Sequence, residues 1–313
     1  MPAAPDRPLP DLAIIGCAKS GTTALADALD RRDDVDVAAI KETDHLFYAC
    51  GGSTELHFRN GRPFRQGRPE AEIVDDAAKY RRQFRAAAPG RVTVDASPLY
   101  LMTPGAPDAL LALNPDARIL LSLRNPSDVA FANFVNHVRD GLETLGIEQA
   151  EAALDPARPF DAAELHPFCD HLRLPRYAAH LPAWLEAIPA DRRLVLIHEE
   201  TLADQPAALA RVAAFLGLPP QPQAALPQEL NVSALPRSRL LRALGDPPPF
   251  LRGVIRAATG KRTRTAARRL LQRLNQGEKP RLSPELRARL DAYYAEDRRF
   301  VRDLLGRDVP AWP

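Results

Sequence analysis

The chain has 313 residues, 45% of them hydrophobic and 26% charged, with 42 Lys and Arg against 40 Asp and Glu. A formal net charge of +2 on such a composition excludes a disordered polyelectrolyte and a strongly basic nucleic-acid binder, and the length suffices for a large core. Only five basic residues are Lys (Lys19, Lys41, Lys79, Lys261, Lys279), so a Lys carries more information here than any single Arg. The neutral total also hides a segregation of charge. Between Arg237 and Arg273 eleven basic residues stand against one acid, Asp246. Cys17, Cys50 and Cys169 form no C-x-x-C pair, which points away from a disulfide framework and from zinc. The N-terminus MPAAPDRPLPD lacks the basic-then-apolar order of a signal peptide, and no apolar run approaches the roughly 20 residues of a membrane span. A cytoplasmic protein with no transmembrane segment and no nucleic-acid partner is expected.

In chain order, Leu12–Gly16 is a short apolar run ending in Gly, followed by KSGTT and by Ala24–Leu29 at helical spacing, which predicts strand, tight loop and helix. Val35–Ile40 is the next predicted strand. Residues 49–72, rich in Gly, Arg and polar groups without a sustained period, read as a long loop or insertion. A helix carrying Tyr80, Phe84 and Ala86–Ala88 follows, then strands Arg91–Asp95 and Arg118–Leu123. Pro126 opens a helix running to about Asp140. A helix over Arg176–Ala187, strand Arg193–His198 and helix Gln205–Leu216, capped by Gly217, complete this part. No strand is visible beyond residue 230, and 236–313 reads as helix broken by prolines. Uniformly apolar strands alternating with helices predict an α/β fold, a central parallel sheet flanked by helices. We read one domain over 1–313, with a flexible 1–10 and a helical C-terminal part.

Between the first strand and helix lies Ile14–Thr23, IIGCAKSGTT. Backbone N–H groups and the helix dipole favour an anion there, and Lys19 with the Ser20, Thr22 and Thr23 hydroxyls adds charge and donors around Gly21. The alternative is a plain strand-to-helix turn in which Gly21 supplies backbone freedom. The order differs from the nucleoside triphosphate pattern G-x-x-x-x-G-K-[ST], because Lys19 precedes Gly21.

The order G-x-x-K-S-G-T-T resembles the 5′-phosphosulfate loop of the sulfotransferases that use 3′-phosphoadenosine 5′-phosphosulfate (PAPS). The resemblance is to the bacterial members, which are related to the heparan-sulfate and carbohydrate enzymes. It continues through Lys41-Glu42, through Asp95-Ala-Ser-Pro-Leu-Tyr100, which is similar to [DE]-K-[ST]-P-x-Y, and through Leu123-Arg-Asn-Pro-Ser-Asp-Val-Ala130. His137-Val-Arg-Asp-Gly141, Arg176-Tyr177 and Phe215-Leu-Gly-Leu218 keep the order. Two positions depart from the pattern: Ala132 replaces the usual Ser eight residues after Arg124, and Ala96 replaces a Lys.

The resemblance implies a P-loop-like sulfotransferase fold, PAPS as donor, no metal, and a small-molecule, lipid or carbohydrate acceptor presenting a hydroxyl or amine. Lys19 then neutralises charge on the leaving phosphate and Glu42 is the general base. Lys41 contacts donor or acceptor, and His45 is either a second acid/base group or a loop histidine. Arg124 is the 3′-phosphate ligand, with a structural salt bridge as its alternative, and Arg237 is a second contact on the nucleotide. His137 and Arg139 do not share a helix face, so at most one of them points into the site. Tyr177, Trp184 and Trp312 read as core. Three readings of the basic segment stay open: a funnel for anions, a docking surface, and a solvated helical face. Competing functions are a P-loop nucleotide kinase or NTPase, and a degenerate nucleotide-binding protein without catalysis.

Overall fold

The computed structural model describes residues 9–63, 73–84, 90–157, 165–221, 226 and 280–312. Five strands, β1 (Leu12–Gly16), β2 (Val35–Val37), β3 (Val92–Ala96), β4 (Arg118–Leu123) and β5 (Arg193–Ile197), form one sheet in the order β2-β3-β1-β4-β5. All four pairings are parallel. The predicted parallel α/β architecture is therefore present. Its cause is visible in β1 and β4: every residue of β1 and all but the first of β4 are buried, so both faces require a covering layer.

One layer holds α1 (Thr22–Asp30), which buries Thr22, Leu25, Ala26 and Leu29 along a single stripe. The short α2 (His45–Ala49) and α3 (Ala77–Arg81) follow β2. On the opposite face α4 (Ala106–Leu113) joins a core containing Ile15, Leu121, Tyr177, Trp184 and Trp312. α5 (Pro126–Asp140) spans the predicted range: Pro126 sits in its first turn, Asn125 accepts from the Ser127 N–H, and Gly141 closes it in the left-handed conformation. The short α6 (Ala150–Ala153) precedes α7 (Tyr177–Ala187), after which α8 (His198–Ala203) and α9 (Gln205–Leu216) follow β5. Beyond residue 230 the described residues contain only α10 (Pro284–Tyr293) and α11 (Ala295–Leu305), with Ser283 capping α10.

Two predicted elements are shorter than their sequence pattern. β2 stops at Val37 because, after the Ala38 N–H donates to Val94 O, the Ala39 N–H turns to Gln83 O and draws the chain off the sheet. α3 ends at Arg81, although Tyr80 and Phe84 are buried as expected. Within the predicted insertion, His57 bridges Pro63 and Leu165, and Phe58 is buried, so this stretch is pinned to the body. Arg237, the 237–273 basic segment, residues 64–72 and the Ala86–Ala88 part of the predicted helix lie outside the described residues.

The topology fixes where a ligand can sit. From β1 the chain goes by α1 to the β2–β3 side, then crosses by α4 to β4 on the other side. The crevice at the carboxyl ends of β1 and β4 is thus the switch point of the sheet.

Candidate active site

The loop after β1 occupies that crevice. Lys19 (φ 73°) and Gly21 (φ 91°) both adopt left-handed backbone, curling the loop so that its N–H groups converge ahead of α1. Gly21 is the α1 N-cap and provides no side-chain cap, which leaves the first N–H groups of the helix for an anion. Glycine is required there twice over, since a Cβ would stand 2.6 Å from His198 Nδ1. Ser20 is fully buried; its hydroxyl donates to Cys17 O at 2.6 Å and its carbonyl accepts from Ser122 Oγ at 2.7 Å. Ser20 therefore shapes the loop from within. Thr22 is buried and Thr23 half-buried at the helix start. The Cys17 thiol donates to Leu174 O, and burial pushes its pKa up to about 12, so it is inert packing.

Lys19 Nζ donates to Asn136 Oδ1 at 3.1 Å, across to the C-terminal half of α5. Asn136 is held in turn by Arg139 Nη2 at 2.6 Å and donates to Asp140 Oδ2. Burial lowers the Lys19 pKa to about 8; Arg139, Arg124 and Lys41 push the same way, and Asp140 partly opposes them. Lys19 thus stands in a field made more positive by Arg139, Arg124 and Lys41, although Arg139 is itself paired with Asp140 at 2.8 Å and Lys41 with Glu42, and such a field favours an anion beside it.

Arg124 leaves the end of β4 and its Nη1 donates to Lys19 O at 2.9 Å, which lays the guanidinium over the loop. Its backbone is clamped by Tyr177, whose hydroxyl accepts from the Arg124 N–H and donates to Arg124 O at 2.7 Å. Trp312 Nε1 and the Asn125 N–H both donate to Glu199, fixing the start of α5. Tyr177, Trp184 and Trp312 are all buried, in keeping with their reading as core.

On the far side of the loop, Lys41 pairs with Glu42 at 3.5 Å. The Glu42 side chain is 28% exposed and its backbone is left-handed at φ 57°. His45 is buried away from solvent: its Nδ1 lies 2.9 Å from Val74 O and its ring stacks on Tyr80 at 4.3 Å. Of the α5 pair, Arg139 faces Lys19, whereas His137 is 3% exposed and packs edge-on against Phe58 and His171. Asn133, next to Ala132, also turns inward, to Phe168 O and His171. The residue that meets Lys19 is instead Asn136, one helical turn beyond Ala132.

Sequence reasoning missed Asn136, His198 and the hydroxyl cluster around Asp95 described below. His198 was legible in principle, as the residue at the carboxyl end of the strand beside β4. Its ring lies against Gly21 and bonds the Ser20 backbone; burial first, then Arg124, lower its pKa to about 4.

His198, His166 (lowered to about 3 by burial) and His137 (well below the usual value, by burial and its His171, His166, Arg59 and Lys19 neighbours) are all neutral in the fold. Their folded pKa values lie below the unfolded value of about 6.5, so the unfolded chain takes up the extra protons. Their contribution to stability is complete above that pH and is lost as the pH falls below it. For His166 the slope is about 1.4 kcal/mol per pH unit until its folded pKa is reached. Thermal melts between about pH 7.5 and 4.5 are expected to show this decline, and His166→Asn, which retains a cap for the Phe168 N–H, to make it shallower.

A parallel sheet with a strand-to-helix loop at its switch point, a Lys in that loop and an Arg just past the adjacent strand define an α/β protein whose loop is suited to an anion. Comparison with known proteins narrows the class. A family model described as the sulfotransferase family matches residues 10–222, and the chain belongs to that family. Heparan sulfate glucosamine 3-O-sulfotransferase 6 of Homo sapiens is 28% identical over 228 residues, covering 69% of this chain and 57% of that protein. Heparan sulfate glucosamine 3-O-sulfotransferase 5 of Mus musculus is 25% identical over 216 residues, covering 68% and 55%. The chain thus spans little more than half the length of these relatives. The crystal structure of a sulfotransferase from Alicyclobacillus acidocaldarius has the same fold, with a TM-score of 0.70, 23% identity, and coverage of 97% of this chain and 98% of that one. Among the described residues no helix is long and apolar enough to cross a membrane.

Proposed function

We propose that the chain is a PAPS-dependent sulfotransferase acting on a hydroxyl or amine of a small-molecule, lipid or carbohydrate acceptor. The observation that carries this reading is that Lys19 and Arg124, joined through the Lys19 carbonyl, stand at a loop that opens α1 without a side-chain cap, with Arg139 sharing Asn136 with Lys19. The donor set fits a nucleotide carrying phosphate groups and a sulfate. Loop N–H groups and Lys19 suit the 5′-phosphosulfate, and Arg124 suits the 3′-phosphate, with Arg237 proposed as a second contact. Among the relatives, the heparan sulfate enzymes make a carbohydrate hydroxyl the first acceptor to try.

In the transfer, Glu42 takes the acceptor proton as the acceptor oxygen or nitrogen bonds to sulfur. The bond from sulfur to the 5′-phosphate oxygen breaks, and the Lys19 ammonium neutralises the charge left on that phosphate. His45, tied to Val74 O and stacked on Tyr80, serves as a positioning residue in this scheme.

The test is calorimetric titration with 3′-phosphoadenosine 5′-phosphate against ATP. Binding of the 3′-phosphorylated nucleotide is expected to be at least about tenfold tighter, since each charge-assisted contact is worth about 1.5–3 kcal/mol. Equal affinity, or turnover of ATP with magnesium, would favour the kinase reading. Tight binding without transfer to a broad acceptor panel would favour the non-catalytic one.

A further inference from the structure

Asp95, the last residue but one of β3, is fully buried, and its partners are hydroxyl groups. Thr43 Oγ1, Tyr80 OH and Tyr100 OH donate to Oδ2 at 2.8, 3.1 and 2.6 Å, and Ser97 Oγ donates to Oδ1 at 3.0 Å. A buried carboxylate satisfied by four hydroxyls from three segments (the Thr43 loop, α3 and the turn after β3) is costly to assemble and, once complete, rigid. Burial pushes the Tyr80 and Tyr100 pKa values well above the usual value, so both phenols stay protonated donors.

This cluster reaches directly into the Lys41-Glu42 loop. Thr43 Oγ1 accepts from the His45 N–H at 3.3 Å and lies 2.8 Å from Tyr100 OH on the same carboxylate oxygen, while Ser97 Oγ accepts from the Asp44 N–H at 3.2 Å. The loop needs such ties. Glu42 and Asp44 are two of only three non-glycine residues with positive φ among those described, at 57° and 53°. Left-handed backbone at a non-glycine residue persists only where its surroundings over-determine it. Thr43, between the two, carries the side chain that is bonded to Asp95.

We propose that Asp95, acting through the Thr43 and Ser97 hydroxyls, is the positioning device that holds the strained loop and keeps the Glu42 carboxylate at the mouth of the site. The inference rests on the reading of Glu42 as general base. Asp95, Thr43 and Ser97 are buried and act through Glu42, so their loss is read in turnover and not in nucleotide binding. His45, stacked on Tyr80, belongs to the same frame. The arrangement also accounts for an Asp near the end of β3 that pairs with no cation among the described residues.

The experiment measures kcat, acceptor KM and the Kd of 3′-phosphoadenosine 5′-phosphate in Thr43→Val, Thr43→Ser and Ser97→Ala. Thr43→Val is expected to lower kcat about 10- to 100-fold with Kd and KM within about twofold, as misplacement of a catalytic group by a fraction of an ångström does. Thr43→Ser is expected to restore most of the rate, and Ser97→Ala to lose about tenfold. Ser97→Ala, which leaves the donors to Asp95 Oδ2 in place, carries the test if Thr43→Val does not fold. Full kcat in a folded Thr43→Val or Ser97→Ala overturns the proposal. Glu42→Gln separates the two levels: wild-type rate in that variant overturns the base reading and this inference with it. If Glu42→Gln loses rate as expected but its residual transfer falls, in Glu42→Gln/Thr43→Val, by the same factor as in Thr43→Val alone, only the positioning role is overturned.

Discussion

Replacing Glu42 with Gln is expected to lower kcat for sulfuryl transfer by about 10²- to 10⁴-fold, the range for loss of a positioned general base. Gln retains the volume and hydrogen-bonding capacity of Glu but cannot take a proton, so 3′-phosphoadenosine 5′-phosphate binding should stay within about twofold of wild type. Initial rates with saturating donor, together with the Kd of the nucleotide, check both halves. The pattern sought is a kcat loss without a Kd change, because an acid/base group acts in the transition state and not in donor binding. The neighbouring Lys41, 3.5 Å from Glu42, is the internal control. Its side chain is 58% exposed, so loss of its charge should have the smaller effect.

Lys19→Ala is expected to cost about 10²- to 10³-fold in kcat, the scale for removing one preorganised donor aimed at developing charge. Unlike Glu42→Gln it should also weaken nucleotide binding, since the ammonium faces the 5′-phosphosulfate in the ground state as well. The pH dependence supplies a second readout. With a pKa near 8 in the free protein, Lys19 loses its proton as the pH rises from 7 to 9. A bound anion holds that proton, so wild-type affinity should fall about tenfold over that interval. In Lys19→Ala the same interval should be nearly flat. Titrations at the two pH values decide this, and a flat wild-type profile would remove Lys19 from the phosphate site.

Much of the fold was legible because the relevant physics is local. The apolar runs Leu12–Gly16, Arg118–Leu123 and Arg193–Ile197 need two covered faces, and α5 has Pro126 at its start and Gly141 at its end. The phosphate loop was legible for the same reason, since Gly21 and the adjoining hydroxyls follow a strand and open a helix. β2 was over-extended because a backbone bond from Ala39 to Gln83, distant in sequence, ends the pairing that the pattern of Val35–Ile40 would continue.

The side chains around the site followed a different rule. His45, three residues after Glu42, is turned into a stack with Tyr80, and Asn133, the polar residue next to Ala132, is turned to Phe168 and His171. Asn136, absent from the motif, is the residue that touches Lys19. Sequence alone pointed to an anion as the class of ligand, because a Lys and a run of N–H groups at a helix start favour negative charge. It also determined the parallel sheet that puts them at one edge. Only the tertiary structure decided which α5 residue meets Lys19, that His198 closes against Gly21, and that four hydroxyls gather on Asp95 behind Glu42. Those contacts join residues up to 177 positions apart, and spacing along a chain specifies a face of a helix or strand, not what packs against it.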